Sequence, residues 1–480
     1  MIIKKLSLFI IACILFAAIA ACNSKPDTTA ENVDTTAAAA EETEAIYSVF
    51  PNVKMNGREI IILMPEYFIE RHLLNIDEET GEPLNDSAYR RNIEIEEQFD
   101  VVIRARGVSD DNCHRELKKL VQSGDDSVDL VLPHPTSGNG YAPLITDGLL
   151  LEWSNLKYVD FSKPCWNTDM QTSLTIAGKL MYARGDLAFN PSIAICLFNK
   201  TMAEDLGIKD DPYKYALNGT WTINKLIEYT KDVYIDVNGD GVKDKNDIYG
   251  YLPNGSDYSY LYSFGLKVAE TNSEGRPELC FMNERLATAF DKVYTLVYSD
   301  SSCKDYFSLV YVSWDHFGNG GALVAPWDIS YSHLFRAMEF DIGILPFPKL
   351  DEAQQSYYNC TAGGIVGVPV NAKDIDNLSI IIQALMEGSY KYVRPTYIDT
   401  ILYNKCLRDD ESRQIMDIIF DSVVYDIGFS FVVDKKLTYI INDLILGKNS
   451  RDFASYYEMY KDKIQLELDN LYEAVIALDK

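Results

Sequence analysis

The chain has 480 residues, 47% of them in the hydrophobic set, with 44 Lys+Arg against 72 Asp+Glu and a formal net charge of −28. That length predicts two or three domains with enough chain to bury sizeable cores, and 12% aromatic content, including 32 Tyr, excludes a disordered chain. The acidic balance argues against a nucleic-acid or anionic-lipid surface, because phosphates are held by clusters of Lys and Arg.

Residues 1–22 read as a targeting segment. Lys4 and Lys5 form a basic start, Leu6 to Ala21 an apolar stretch too short for a comfortable membrane span, and Ile19-Ala20-Ala21-Cys22 a small-residue cleavage site. The last four residues resemble the bacterial lipobox, which implies lipidation of Cys22; the alternative is an ordinary signal peptide with an incidental cysteine. Residues 23–45, rich in Ala, Thr and Glu with Val33 as the one large aliphatic residue, cannot bury enough apolar area to offset their ordering entropy. They read as a disordered tether with a reach of about 25–30 Å. Without the signal the chain keeps 42 basic and 72 acidic residues, a net charge of −30, which favours a covalent anchor over electrostatic adhesion to an acidic membrane.

From Arg58 the pattern alternates. Ile60 to Leu63 predicts a strand, Ser87 to Phe99 a helix, Val101 to Ala105 a strand, Asp110 to Val121 an amphipathic helix and Val128 to Leu132 a third strand. Such alternation implies a mostly parallel sheet covered on both faces, with ligands beyond the carboxyl ends of the strands. Those ends are Met64 to Phe68 and Pro133 to Tyr141. A second α/β unit is expected from about Lys179, with strands at Leu180 to Ala183, Ile193 to Phe198, Gly321 to Ala325 and Asp341 to Leu345, and helices near Ile223 to Val233 and Glu284 to Ser299. Gly363 to Pro369 reads as one more buried strand, after which the chain turns mainly helical.

Beyond Cys13 and Cys22 seven cysteines remain, an odd number without CxxC spacing, and they read as small core hydrophobes rather than a disulfide framework. Asp236-Val237-Asn238-Gly239-Asp240-Gly241-Val242-Lys243-Asp244-Lys245-Asn246-Asp247 matches the twelve-residue calcium loop. Its side-chain oxygens are Asp236, Asn238, Asp240, Asp244 and Asp247, a backbone carbonyl comes from Val242, and glycine stands at position 6. Asp at position 12 in place of Glu predicts weaker binding. A structural Ca²⁺ staple, a Ca²⁺ switch and a metal-free acidic turn are the three readings of the loop. No HExxH, GxSxG, P-loop or GxGxxG occurs, and the five histidines lack metal-ligand spacing. A glycosidase-type carboxylate pair has no sequence spacing to recognise, so an enzyme reading stays open.

Several fragments in order resemble the family 1 extracellular solute-binding proteins of carbohydrate ABC importers. They are the lipobox, Val128-Asp129-Leu130-Val131, Leu144 to Trp153, Asn199-Lys200 leading to Leu206-Gly207-Ile208, Gly219-Thr220-Trp221-Thr222, the acidic loop ending in Tyr249-Gly250, Gly321-Ala322-Leu323 and Ile344 to Pro348. The resemblance implies an α/β, two-lobe periplasmic-binding-protein-like (type II) fold with crossing hinge segments and a helical C-terminal part. Lobe 1 would span 57–165 with 355–395, and lobe 2 166–350 with 396–480. It implies capture of a small solute, an oligosaccharide, in the interlobe cleft, delivery to an ABC permease, a lipid anchor as the only membrane contact, and no catalysis. Tyr67, Tyr141, Asp186, Trp327, Asp328 and Gly363, in strand-end loops, are the expected solute contacts; Trp153, Trp166 and Trp221 are assigned to packing. The competing readings are a surface glycoside-active enzyme with paired carboxylates, and the same fold binding peptide or another solute.

Overall fold

The computed structural model describes residues 46–109, 112–135, 140–188, 192–304, 310–361, 363–407 and 409–479. The signal, Cys22 and the tether lie outside them, as do Thr136 to Asn139 of the first-lobe loop. Residues 48–480 form one compact unit.

Lobe 1 is built on β1 (Arg58–Pro65), β2 (Val101–Val108) and β3 (Leu130–Val131), all parallel, in the order β2-β1-β3. Ile60, Ile62 and Met64 alternate along β1 into one buried face, closed by Phe99 and Ile103. Helix Pro83–Phe99 fills the β1 to β2 crossover and helix Cys113–Ser123 the next, the latter capped by Asn112 accepting from the Arg115 amide at 2.9 Å. Asp129 is buried because it accepts from the Ile61 amide (2.8 Å) and pairs with Arg58 (2.5 Å), fixing the start of β3 against β1.

The sheet is extended by chain from far along the sequence. Val131 bridges Gly367 and Ala183 bridges Val366, while β4 (Leu150–Leu151) pairs antiparallel with the late strand Val368–Pro369. Leu180, Ala183 and Leu187 belong to the same apolar core as β1. The run Leu180 to Ala183, expected in the second α/β unit, therefore joins the sheet of β1 to β3. A continuous apolar run does not say which sheet it joins; the backbone bond from Ala183 to Val366 settles it.

Lobe 2 holds β5 (Ala194–Asn199), β6 (Tyr234–Ile235), β7 (Ile248–Tyr251), the hairpin β8 (Ala269–Thr271) and β9 (Pro277–Leu279), β10 (Ala322–Asp328) and β11 (Ile342–Leu345). Its five-stranded sheet runs β11-β5-β10-β7-β6. Gly250 in β7 is required by close approach, since a Cβ there would collide with the Thr230 carbonyl. Trp221 is fully buried, its indole donating to the Pro346 carbonyl at 3.1 Å. Trp153 and Trp166 are likewise buried, 5.6 Å apart. β12 (Asn359–Cys360) pairs with β14 (Val423–Val424), and β13 is the Val368–Pro369 strand that closes lobe 1.

Three segments pass between the lobes. The first leads from Gly185 toward Ile193, and the second from Thr361 toward Val366, bridged to the first through Ile193 and Thr361. The third is the helical stretch from Gly388 through Thr396–Cys406. The C-terminal helix Phe453–Ile476 packs on β9 and on helix Ala142–Thr146. Among the described residues five cysteines are free thiols, four of them buried, and no helix is long and apolar enough to cross a membrane. The side chains of Cys360 and Cys406 lie outside the described set.

Candidate functional site

The strand ends of both lobes meet where the crossing segments begin. Directly after β1, the short helix Glu66–Arg71 presents Tyr67, Phe68 and Arg71. Tyr67 is 45% exposed, with its ring against Phe68 (4.9 Å) and near His134 after β3 (6.2 Å). Arg71 reaches to lobe 2, donating to the Tyr331 hydroxyl at 3.2 Å with its guanidinium over the Tyr331 ring. Ser330 and Ser332, with Tyr397 of the third crossing segment, line a cavity of about 240 Å³ beneath this contact.

On the lobe 2 side Asp328 ends β10. One carboxylate oxygen accepts from the Ser330 amide (2.9 Å) and hydroxyl (2.7 Å), the other from the Ser192 hydroxyl (2.6 Å). Desolvation nevertheless raises its pKa above the usual carboxylate value. Ser192 is in turn tied to the second crossing segment, because its carbonyl accepts from the Thr361 hydroxyl at 2.9 Å.

Between the lobes lies Arg184, half-buried. Its guanidinium donates to the Thr361 hydroxyl at 3.4 Å, sits 5.8 Å from the Tyr425 ring centroid and covers Gly363, where a Cβ would strike it. The Gly363 amide also donates to Thr361 (3.1 Å). Tyr141 is buried, packed on Tyr182 at 5.3 Å, and its hydroxyl makes no hydrogen bond of ordinary length. Burial pushes that phenol up, partly offset by Arg184. Asp186, on the first crossing segment, is buried and pairs with Arg394 of the third at 3.5 Å. Burial raises its carboxyl to about 6, against the opposing pull of Arg394 and Arg184. Trp166, Arg184, Asp186, Arg394 and Tyr425 line a second cavity of about 110 Å³ at this junction.

Asp186 and Gly363 thus lie beside Arg184, and Asp328 is linked to Thr361 through Ser192, whereas Tyr67 packs by Phe68 and His134 and Tyr141 on Tyr182. Trp327 is 1% exposed, stacked on Trp314 (4.7 Å, 26°) and packed on Phe317 and Phe335 inside lobe 2. Adjacent strand residues point to opposite faces, so Trp327 stands in the lobe 2 core while Asp328 turns to Ser192 and Ser330. Arg71, Arg184, Tyr331, Thr361 and Tyr425 are not singled out by the sequence. Arg184 lies inside the run Tyr182 to Gly185 that precedes Asp186, and a lone basic residue beside a crossing point is the available signal.

The Asp236 to Asp247 loop lies apart from this region. Asp236 accepts from the Gly239 and Gly241 amides (2.7 and 2.8 Å), Asp240 from Val242 (2.7 Å), and buried Asp247 from Val237 and Asp244. Gly241 at position 6 has φ 74°. Among the described residues no group of three His, Cys, Asp or Glu converges in a metal-holding arrangement. The oxygen donors fit Ca²⁺ in kind and spacing, and they are drawn instead to the loop's own amides. A cavity of about 490 Å³ takes no lining residue from the strand-end loops; Leu217, Tyr358 and Asp421 are among its walls.

No protein-family model and no curated protein matches the chain. Solved structures do. An ABC substrate-binding protein from Listeria monocytogenes in complex with cycloalternan has 13% identity and a TM-score of 0.53, covering 87% of this chain and 99% of its own. An ABC transporter solute-binding protein from Thermotoga lettingae bound with α-D-tagatose has 15% identity, TM-score 0.54 and coverage of 86% and 100%. UgpB from Mycobacterium tuberculosis in complex with glycerophosphocholine has 13% identity, TM-score 0.56 and coverage of 86% and 98%. The fold is that of the two-lobe, type II solute-binding proteins of ABC importers. The first two of these neighbours are binding proteins.

Proposed function

We propose that this protein is an extracytoplasmic solute-binding lipoprotein that captures an oligosaccharide in its interlobe cleft, without chemical turnover, and delivers it to an ABC permease. The observation that carries the reading is a two-lobe fold in which the Tyr67 ring stands exposed at the lobe 1 strand ends, on the short helix whose Arg71 donates to Tyr331 in the hydroxyl-rich turn Ser330 to Ser332 of lobe 2. An aromatic face suits the C–H surface of a sugar ring, and hydroxyls and carboxylates suit its oxygens. The bound saccharide of the Listeria neighbour supports the same solute class.

Intrinsic tryptophan fluorescence against a panel of oligosaccharides, with a reducing-sugar assay run in parallel, tests this. A saturable shift without product is expected, and release of reducing ends would sink the binding-only reading in favour of a carboxylate-pair enzyme. Anchoring through Cys22 predicts palmitate labelling of the chain in bacterial cells and its loss in Cys22→Ser. The Asp236 to Asp247 loop we assign as a structural Ca²⁺ staple of lobe 2, supported by its ligand spacing.

A further inference from the structure

Arg71 ends the helix Glu66–Arg71 of lobe 1 and reaches the turn after β10 of lobe 2, where it donates to the Tyr331 hydroxyl at 3.2 Å with its guanidinium carbon 5.7 Å from the ring centroid. The acceptor is a neutral hydroxyl, so the contact is not an ion pair. It joins a hydrogen bond from a charged donor to a cation–π contact. Arg71 is exposed and Tyr331 half-buried, so water can replace each partner when the pair breaks.

Each partner is braced within its own lobe. Tyr331 stands where the backbone leaves helical geometry (φ −99°, ψ 21°) inside Ile329–Ala337, and its ring packs on Trp314 (4.8 Å), which stacks on the buried Trp327 (4.7 Å). The ring is carried by the lobe 2 core. Arg71 follows directly on β1, and the buried Phe68 ring of its own helix lies 5.9 Å from the same guanidinium. The turn that bears Tyr331 is also moored to the third crossing segment, because the Tyr397 hydroxyl donates to the Ile329 carbonyl at 3.2 Å and stands 3.3 Å from the Ser332 hydroxyl. Links of another kind hold the lobes elsewhere: the backbone crossings, and the C-terminal helix, which packs on both β9 and helix Ala142–Thr146 and buries Ile464, Leu468 and Leu471. These stay in place while a polar contact in reach of water breaks and re-forms.

We infer that Arg71 and Tyr331 form a clasp that holds the lobes together at their strand ends and must break before the cleft opens there. The inference needs only the two-lobe fold, so it stands or falls apart from the nature of the solute. Tyr67 rides on the same helix as Arg71, and its exposed ring moves with the clasp. A single contact biases a two-state equilibrium by no more than its own free energy, here about a threefold to tenfold change in the ratio of open to closed chains.

Single-molecule energy transfer in the full chain, between dyes on the exposed Glu78 of lobe 1 and Glu339 of lobe 2, tests it without any solute. Closed chains are expected to predominate in the wild type. Tyr331→Phe, which keeps the ring and loses the hydroxyl, should raise the ratio of open to closed chains about threefold, and Arg71→Met, which keeps the reach and loses the charge and donors, about tenfold. The double variant should go no further than Arg71→Met, because the clasp is already lost. Arg71→Lys, which keeps a cation over the ring, should fall between wild type and Arg71→Met, and guards against a variant that misfolds. A wild type whose lobes stand mainly open, single variants that leave the ratio unchanged, or a double variant in which the two increases multiply, overturns the inference.

Discussion

Asp186 offers the sharpest test of the junction between the lobes, because its burial can be turned into a pH-dependent free energy. Its carboxyl is raised from the ordinary 3.8 to about 6, chiefly by desolvation. The folded state therefore holds the proton more tightly than the unfolded chain. The stability it contributes is fully present below pH 3.8 and is lost as pH rises through about 6. The difference corresponds to about 3 kcal/mol. An amide in place of this carboxyl carries no charge at any pH, so Asp186→Asn should match the wild type near pH 4 and exceed it by up to about 3 kcal/mol above about pH 6.5. For a body of this size that is on the order of 3 °C in thermal midpoint. Urea unfolding of both proteins from about pH 4 to 7.5, read as the difference between them, cancels the other titrating carboxylates. A difference flat with pH, or a variant that loses ground as pH rises, would show that the Arg394 pair outweighs desolvation and refute the reasoning.

Three further outcomes are expected. Tyr67→Ala should weaken saccharide binding by about 1 kcal/mol, roughly fivefold in Kd, with unchanged stability, as the loss of a stacking face requires; calorimetry checks it, and unaltered affinity would remove Tyr67 from the site. Trp327→Ala should cost about 3–5 kcal/mol in urea unfolding, because it empties a packed site beside Trp314, and a loss below about 1 kcal/mol would contradict its core placement. Ca²⁺ at about ten times its Kd should raise stability by about 1.4 kcal/mol, with EDTA or Asp236→Ala abolishing the gain; no heat on titration and no change in midpoint would dismiss the staple.

Much of lobe 1 is legible in the chain. The apolar alternation of β1 and the periodicity of helix Pro83–Phe99 are local signals, and the strand-end position of Tyr67 follows from the first. What the sequence hides is non-local. Leu180 to Ala183 looks like any short buried strand, and only its partner Val366, far along the chain, assigns it to lobe 1. Arg184 carries no spacing signal; its surroundings come from Thr361 and Gly363 on the second crossing segment and from Tyr425 just after β14. The burial of Trp327 is hidden for a smaller reason: the apolar run marks a strand there without marking the face on which each residue stands.

The shared architecture of the first sheet has a consequence for how the molecule is made. Residues 58–151 supply β1 to β4, yet the strand that joins β3 to β4 is Val366 to Pro369, and the core is closed by helix Ile375–Gly388. The amino-terminal lobe therefore cannot complete itself as it is synthesised. It must wait, with an open sheet edge, until lobe 2 strands β5 to β11 have emerged, an arrangement that trades early, local folding for late, long-range closure. A chain halted at Leu350 should accordingly leave β3 unpaired on one side and expose the Ile60, Ile62 and Met64 face to proteases and chaperones.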